Sequence, residues 1–460
     1  MNITFIKHRK KLALLLGLFS ICTGCTHVPS SDSTQVSKLV EPRIGKKVHW
    51  HQAEKEDAQI DDAIGKLLQN ELSVDTAIQI ALINNRSLQA LYEEIGISQA
   101  DIVQAGLLQN PLFTAAIGFP TQGGASISSQ FSIAQNFIDA FSISLRKKYA
   151  QVLLEQTELK IANAVIDHVS KVERAYYKLQ AEMSLKDQLE KITELESAAV
   201  ALSERQQKAG NVYDIQVVNH KKKLYQTKIS QTKTEAQILV LREHLNELLG
   251  LFGDHTTWKI PRTLPSIPVD EINVNDLENL AISNRLDLKA AKKEVELMAT
   301  ALGLKEWWTY TEGQIGVLQQ RDSEGVTSIG PSLGFAIPLF DCGQANRAKF
   351  QAKLKQSYEQ MMGLIVQIRA EVRAARETLV ASQKLAEYLL KVVSPLQSKT
   401  MQLSQKLYNS MTISTYQLLA AKRKEIETQI EYIEALREYW LSRVDLGNTI
   451  GGKLLLFENE

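Results

Sequence analysis

The most constraining feature of this sequence is the uneven placement of its helix-breaking residues. No proline occurs between Pro120 and Pro261, and beyond Pro338 the only proline is Pro395. Glycine is equally biased, with seven glycines between residues 303 and 343. Glycine and proline mark turns, and their absence over long stretches permits continuous helix. The sequence therefore predicts two long helical zones that alternate with two short glycine-bearing zones.

This alternation reflects an internal duplication, which decides the fold class. The segment IALINNRSLQA, residues 80–90, matches LAISNRLDLKA, residues 280–290, at an offset of 200 residues. Val372 still lies 200 residues after its counterpart Val172, whereas Leu403 lies 201 residues after its counterpart Leu202. One long unit is therefore repeated in tandem.

Each unit carries long helices with a coiled-coil pattern. In the first unit, large and apolar residues recur mostly in steps of three and four, which is typical of packed helices. About 60 residues at ~1.5 Å each would form a rod of roughly 90 Å. The pattern turns back around residues 209–213 and 409–414, so we expect one helical hairpin in each unit. The first-unit series includes Tyr149, Val152, Leu159, Ile166, Val169, Val172, Tyr176, Leu179 and Met183.

The glycine-bearing zones contain four segments that alternate with a period of two, at residues 112–119, 126–133, 313–320 and 326–337. Each has one apolar face and one face of small or polar residues, which suits a transmembrane barrel strand. A half-buried strand in a soluble sheet has the same periodicity, so the pattern alone leaves both interpretations open.

Barrel geometry favours the membrane interpretation and predicts an oligomer. A membrane sheet must close on itself, and transmembrane barrels have at least eight strands. Four strands per chain would require two copies for eight strands or three copies for twelve. Because eight-stranded barrels are filled by side chains, a polar lumen favours twelve strands from a homotrimer. The expected fold class is α+β, mainly α, with long coiled-coil hairpins and four transmembrane strands per chain.

The N-terminus predicts export and lipidation. Residues 7–11 are mostly basic, and residues 12–21 form a short apolar segment typical of a secretory signal. Thr-Gly-Cys, ending at Cys25, resembles the lipobox of bacterial lipoproteins, although Cys22 stands at position −3. The resemblance implies cleavage before Cys25 and lipid attachment to its sulfur. An ordinary signal peptide with a chance cysteine is the alternative.

Composition excludes several other classes of protein. The chain has 53 Lys and Arg and 52 Asp and Glu, a net charge of +1 that argues against nucleic-acid binding. Its three cysteines cannot form a disulfide scaffold and lack zinc-site spacing. No paired acid–base residues, phosphate loop or nucleophile motif is recognisable. We therefore expect no enzyme activity, no cofactor and no metal site.

The predicted organisation has six parts. They are a signal peptide at residues 1–24, a lipidated tether at 25–71, a first repeat at 72–252, a linker at 253–271, a second repeat at 272–452 and a tail at 453–460.

From residue 72 to residue 452 the sequence resembles the TolC-like outer-membrane efflux proteins, especially their lipoprotein members. The resemblance rests on the helix starts at residues 85–90 and 284–290, on PSLGFAIPLFDCGQANRAKF at 331–350 and on ALREYWLSRVDL at 435–446. It implies a trimer in the outer membrane of a Gram-negative bacterium, with a twelve-stranded barrel and a twelve-helix periplasmic tunnel. It also implies export driven by an inner-membrane pump and joined to the duct by a periplasmic adaptor.

The resemblance also locates a gate where the hairpins turn. The family commonly closes its second hairpin with an aspartate-bearing constriction and a nearby tyrosine. Tyr408 matches the tyrosine, but Gln417 and Ala420 stand where acidic residues would align, and Met411 replaces the glycine that Gly210 preserves in the first unit. Our hypothesis is an iris closed by hydrogen bonding and packing around Tyr408 and Gln417.

The cargo and one alternative class remain open. The lipobox favours the drug-efflux and metal-efflux branches, and residues 407–446 most resemble members associated with metal resistance. A type I protein-secretion duct is an alternative, as is a surface-anchored coiled-coil scaffold without a pore. The run Lys221 to Lys223 is interpreted as a solvated helix face, and a metal role for His49 and His51 is disfavoured because no further ligands are nearby in sequence.

Overall fold

A computed structural model describes residues 34–50, 57–121, 127–268, 276–308, 313–337 and 339–454 of the chain. These residues divide into two compact units. The sheet unit comprises residues 94–157 and 293–357, and the hairpin unit comprises residues 33–93, 158–292 and 358–460 as far as they are described. Cys25 and the signal segment lie outside the described residues.

The described chain contains eleven α-helices and four β-strands. In chain order they are α1 (Thr34–Ile44), α2 (Asp57–Leu68), α3 (Val74–Asn84), α4 (Arg86–Ala105), β1 (Leu112–Gly118), β2 (Ser128–Asn136), α5 (Asp139–Lys208), α6 (Asp214–Leu249), α7 (Leu277–Asn284), α8 (Leu286–Trp308), β3 (Gly313–Arg321), β4 (Thr327–Phe335), α9 (Gln344–Tyr388), α10 (Ser394–Asn409) and α11 (Thr415–Thr449). A 3₁₀ turn at Gly253–Thr256 and a π-helical turn at Leu389–Val393 complete the description.

The four strands form one antiparallel sheet in the order β1-β2-β3-β4. Residues directly opposite each other in an antiparallel pair point to the same side of the sheet. Phe113 pairs with Ile133, which pairs with Val317, and Val317 pairs with Pro331. The apolar residues predicted from the alternation therefore share one face. The other face is mostly small or polar, with two leucines: it carries Leu112, Thr114, Ala116, Gln130, Ser132, Ala134, Gly316, Leu318, Gln320, Ser328, Gly330 and Ser332.

The apolar face of the sheet is open in the single chain. Ile329 and Leu333 are each 70% exposed, and Phe113 and Val317 are also more than half exposed. The opposite face includes Gly316, where a Cβ atom would lie 2.4 Å from the carbonyl oxygen of Ile133. Among the described residues, no packed core covers the apolar face of the sheet.

Polar contacts organise the helices within the sheet unit. The side chain of Asn136 accepts a hydrogen bond from the backbone N–H of Asp139 at 3.1 Å, where β2 gives way to α5. The carboxylate of Asp139 lies 3.1 Å from Arg146, two turns further along α5. Within the same unit, α5 contacts α8 through a hydrogen bond of 2.6 Å from Gln156 to Glu294.

Four helices lie side by side in the hairpin unit. Helix α5 contacts α6 through Lys186 and Glu235, 3.3 Å apart, and contacts α11 through Arg437 and Glu182, 3.6 Å apart. Helix α10 contacts α11 through a 3.1 Å hydrogen bond from the Ser398 hydroxyl to the carboxylate of Glu425. The order across this layer is therefore α6, α5, α11, α10. The first hairpin is α5–α6 and the second is α10–α11.

The tandem duplication is visible in matching breaks and turns. Helix α3 stops at Asn85 before α4 begins, and α7 stops in the same way at Arg285 before α8. Both breaks pack against a left-handed glycine at a helix end, Gly250 in the first repeat and Gly451 in the second. Each site joins the start of a repeat to the end of the same repeat.

The π-helical turn explains why the repeat offset changes from 200 to 201 residues. It spans Leu389–Val393, between Val372, which matches at 200, and Leu403, which matches at 201. A π turn contains one more residue than an α turn. The second repeat therefore accommodates its extra residue at this turn, and the helix beyond it stays in phase with the first repeat.

The mainly helical fold with four strands and two hairpins is confirmed. Each strand begins and ends within three residues of its predicted bounds, and the largest difference is at β2, which continues to Asn136 because Gln135 and Asn136 still pair with β3. Among the described residues, none of the helices has an apolar stretch long enough to cross a membrane. The signal peptide, the lipidated tether, and the trimeric barrel and tunnel stay predictions.

Candidate functional site at the turns of the helical hairpins

The candidate functional site is the end of the hairpin unit where both hairpins reverse direction. We call it the turn end and define it as residues 199–223 and 400–424. In the first turn, the backbone N–H of Asn211 donates to the carbonyl of Gln206 at 2.8 Å, and that of Gly210 donates to Gln207 at 2.9 Å. This pair of bonds is a Schellman motif, in which the residue after the helix end adopts a left-handed conformation. Gly210 fills that position with φ of +77°.

The second turn has the same hydrogen bonds with a different residue at the left-handed position. The N–H of Thr412 donates to Leu407 at 2.9 Å, and that of Met411 donates to the carbonyl of Tyr408 at 2.9 Å. Met411 has φ of +56° and its side chain is 93% exposed. A methionine here bears the steric cost of a left-handed backbone and receives little packing in return within the chain.

The side chain of Gln417 caps the start of α11. Its Oε1 atom accepts from the backbone N–H of Ser414 at 2.8 Å, while the Ser414 hydroxyl accepts from the N–H of Gln417 at 3.3 Å. This reciprocal arrangement is a capping box, and it satisfies two backbone donors at the helix start. The Ser-x-x-Gln spacing could have revealed it from sequence alone.

Tyr408 lies half-buried in the last turn of α10. Its carbonyl accepts the backbone bond that closes the turn. Among the described residues, its hydroxyl forms no hydrogen bond, and none joins it to Gln417. The four residues of the gate hypothesis therefore lie at the turn end, with Gly210 and Met411 in equivalent positions of the two turns.

Sequence reasoning missed the contact that joins the two hairpins at this end. The hydroxyl of Tyr416 donates to Oε1 of Gln206 at 2.7 Å, although the two residues are 210 positions apart. The ring of Tyr416 also stacks on His220, with ring centroids 4.7 Å apart. One tyrosine of α11 therefore touches both helices of the first hairpin.

An ion pair reinforces this contact further along the helices. Arg423 of α11 pairs with Glu196 of α5 and, at 2.9 Å, with Glu427 of its own helix. Glu196 is buried, with its side chain 4% exposed. A buried carboxylate needs a partner because desolvation is otherwise costly. The two hairpins are thus joined by a charged contact as well as by Tyr416.

The electrostatic environment disfavours a charged His220. Burial lowers the pKa of His220 below its ordinary value of 6.5, and the nearby Lys223 lowers it further, whereas Glu196 acts in the opposite direction. Its Nδ1 atom is buried and has no hydrogen-bond partner among the described residues. Burial raises the pKa of Tyr416, so that residue stays a neutral hydrogen-bond donor.

Two further sequence candidates have structural roles. Lys221 pairs with Glu204 at 2.7 Å, which ties the two helices of the first hairpin together. The carbonyl of His49 accepts from Gln89 at 3.1 Å. In the described part of the chain, no group of three or more His, Cys, Asp or Glu residues could hold a metal ion.

The geometry defines a class of protein: long paired hairpins, repeated in tandem, with a small antiparallel sheet that has an exposed apolar face. Known proteins of this class are outer-membrane efflux channels. The structure superposes on CusC with a TM-score of 0.66 and 17% identity over 83% of this chain and 92% of that chain. It superposes on the outer-membrane channel OprN with a TM-score of 0.66 and 16% identity over 94% and 98% of the two chains.

A sequence relative agrees with these structural neighbours. The chain is 19% identical over 398 residues to the cobalt-zinc-cadmium resistance protein CzcC of Cupriavidus metallidurans, covering 83% of this chain and 90% of that protein. No family model matches the chain. The fold is that of the outer-membrane efflux channels, so the resemblance noted from the sequence is confirmed. These relatives are channel proteins and not enzymes.

Proposed function

We propose that this chain is one of three identical subunits of an outer-membrane exit duct in a Gram-negative bacterium. Four strands from each subunit form a twelve-stranded barrel, and the hairpins form a twelve-helix tunnel in the periplasm. The duct receives its cargo from an inner-membrane pump through a periplasmic adaptor. The observation that carries this proposal is the sheet, because its exposed apolar face and its small polar face suit lipid on one side and water on the other.

The edges of the helical layer support assembly from several copies. Helix α6, at one edge, carries a stripe of apolar residues that are each more than half exposed: Ile215, Val218, Tyr225 and Ile229. The other edge carries a second stripe along α9 and α10, formed by Leu385, Tyr388, Leu396 and Leu403, each at least half exposed. Two different apolar edges on one subunit suit a head-to-tail interface, which closes into a ring when the rotation between subunits is a whole fraction of a turn, such as one third in a trimer.

The N-terminus gives the duct a second attachment to the membrane in this proposal. Cys25 would carry lipid after removal of the signal segment, and the tether of residues 25–71, which includes α1 and α2, would follow it. Because the twelve-stranded barrel spans the membrane in this proposal, the assembled protein would stay in the membrane without the lipid. Replacing Cys25 by Ala is expected to leave assembled channels in the outer membrane.

The turn end would serve as the periplasmic gate. Tyr408 and Gln417 remain the proposed residues of the constriction, and Gly210 and Met411 set the backbone of its two turns. The contacts of Tyr416 and Arg423 with the first hairpin support a gate that opens when the hairpins separate. Alanine at both Tyr408 and Gln417 is expected to raise conductance, and unchanged conductance would exclude them as the constriction.

A protease experiment separates this proposal from a scaffold without a pore. Outer-membrane vesicles are treated with protease, and protected peptides are identified by mass spectrometry. The duct predicts protection of residues 127–133 and 329–337, because lipid covers β2 and β4. Complete digestion of both strands, with the hairpins intact, would favour the scaffold.

The cargo is proposed to be small molecules or metal ions. The name of CzcC concerns cobalt, zinc and cadmium resistance, which favours metal export. A deletion strain grown with metals, detergents and hydrophobic drugs would test this, since sensitivity confined to metals supports metal export. Broad drug sensitivity would indicate a multidrug duct, and loss of a secreted protein would indicate the type I secretion alternative.

A further inference from the structure

The turn end carries a large excess of positive charge. Residues 199–223 and 400–424 contain nine Lys or Arg and only two acidic residues, Glu204 and Asp214. The whole chain has a net charge of +1, so the remainder of the chain is negative. The charge is therefore concentrated at one end of the hairpin unit. The nine are Arg205, Lys208, Lys221, Lys222, Lys223, Lys406, Lys422, Arg423 and Lys424.

Several of these charges are already neutralised by neighbouring carboxylates. Lys221 pairs with Glu204 at 2.7 Å, and Lys422 pairs with Glu425 at 2.6 Å. Arg423 pairs with Glu196 and Glu427, and Lys424 lies 3.7 Å from Glu427. The pairs of Lys221 with Glu204 and of Arg423 with Glu196 join two helices, whereas the pairs of Lys422 and Lys424 lie within α11. Paired charges contribute little to the field outside the protein.

Five charges at the turn end remain without such a partner. Among the described residues, none of these five forms an ion pair, and all are exposed: Arg205, Lys208, Lys222, Lys223 and Lys406. The one nearby carboxylate outside an ion pair, Asp214, accepts a hydrogen bond from Gln207 at 2.7 Å. The uncompensated charge of this surface is therefore almost entirely positive.

Helix capping accounts for only part of the cluster. Basic residues in the last turn of a helix complement its dipole, which explains Arg205, Lys208 and Lys406. Lys222 and Lys223 have no such explanation, because they lie more than two turns inside the N-terminal part of α6, beyond the reach of that effect.

We propose that the turn end forms an anion-selective entrance to the duct. This inference rests on the proposed function, because three subunits would place three copies of the cluster around one opening. Charges at the mouth of a narrow passage raise the local concentration of counter-ions within about a Debye length, roughly 8 Å at physiological salt. Anionic and neutral cargo would enter readily, so among the cargoes proposed above this inference favours small molecules over bare divalent metal ions.

The test is the ion selectivity of purified full-length protein in planar lipid bilayers. The zero-current potential is measured with about 0.1 M against 0.01 M potassium chloride, where the Debye length is ~10 to 30 Å. We expect chloride to permeate better than potassium by about threefold or more, since surface potentials of several kT concentrate counter-ions at least this strongly.

A matched pair of variants assigns the selectivity to the cluster. The first replaces Lys208, Lys223 and Lys406 by Glu, and the second replaces Lys38, Lys47 and Lys259, which are also exposed, by Glu. The control residues lie on segments packed beside the far ends of α6 and α11, about 50 Å from the turns at ~1.5 Å per residue. The first variant should lose or invert the chloride preference, and the control should keep it.

The outcomes distinguish this inference from the function on which it rests. Absence of any channel would refute the duct and the inference together. A channel that prefers potassium, or one whose preference is the same in the first variant and the control, would refute the inference alone. The duct would then stand, and the cluster would be a surface for another purpose, such as docking an acidic partner.

Discussion

Replacing Met411 by Gly should stabilise the second turn, because the backbone there is left-handed. The left-handed backbone costs a residue with a Cβ atom roughly 1 to 2 kcal/mol of stability, and glycine avoids this cost. Glycine loses more conformational entropy on folding, which costs about 0.5 to 1 kcal/mol. The expected net gain is about 0.5 to 1 kcal/mol. The methionine side chain is 93% exposed, so its removal costs little packing within the chain.

Hydrogen exchange of the full-length protein in detergent measures this effect locally. The amide of Thr412 closes the turn through its bond to Leu407. A gain of about 0.5 to 1 kcal/mol should slow its exchange by about two- to fivefold, after correction for intrinsic rates. The mirror change, Gly210→Ala, should speed exchange at Asn211, since a Cβ there meets no atom within 4 Å and only the backbone conformation is strained.

The control is Met411→Ala, which shortens the side chain and keeps the Cβ atom. It should leave exchange at Thr412 nearly unchanged. If alanine slowed exchange as much as glycine, the side chain and not the left-handed backbone would be responsible, and the reasoning would be refuted.

Three further predictions concern the sheet and the contact between the hairpins. Ile329→Arg should reduce the amount of folded protein in the outer membrane, because a lipid-facing Arg at the bilayer midplane destabilises a barrel by about 2 to 4 kcal/mol. The control Gly330→Arg should be tolerated, because residue 330 lies on the opposite face of the sheet with open space around it. Arg423→Met should destabilise the protein by about 3 kcal/mol in a denaturation experiment, since it leaves Glu196 buried without its partner, and adding Glu196→Gln should restore most of the loss. His220 has a folded pKa below the ordinary value of 6.5, so its contact with α11 is most stable above pH 6.5 and weakens as the pH falls below it. Protection from exchange at the turn end, after correction for the pH dependence of intrinsic rates, should therefore fall in acid. His220→Phe, which keeps a stacking ring and cannot be protonated, should abolish that loss of protection; an equal response in both proteins would contradict this assignment.

Much of the fold follows from local pattern. The helix α5 runs for 70 residues without a glycine or proline, as the spacing of those residues predicts. The strands follow from alternation, and their apolar faces coincide because pairing preserves the side to which each residue points. The left-handed position of Met411 follows from its alignment with Gly210, since the two repeats make the same turn.

The rest depends on how distant segments meet. Tyr416 and Gln206 are 210 residues apart, and their contact requires α5 and α11 to lie side by side in one register. The heptad pattern sets which face of each helix is apolar, but it does not specify which helix becomes its neighbour. Gln417 was associated with the gate by alignment, whereas its amide is engaged in a capping box that the local Ser-x-x-Gln pattern encodes.

The central claim is that three chains form one duct, and native mass spectrometry in mild detergent tests it most directly. A mass equal to three mature chains, with or without lipid on Cys25, is the expected result. A single chain or a dimer as the only species, with the sheet intact by circular dichroism, would contradict the account, because four or eight strands would not enclose the polar lumen that it requires.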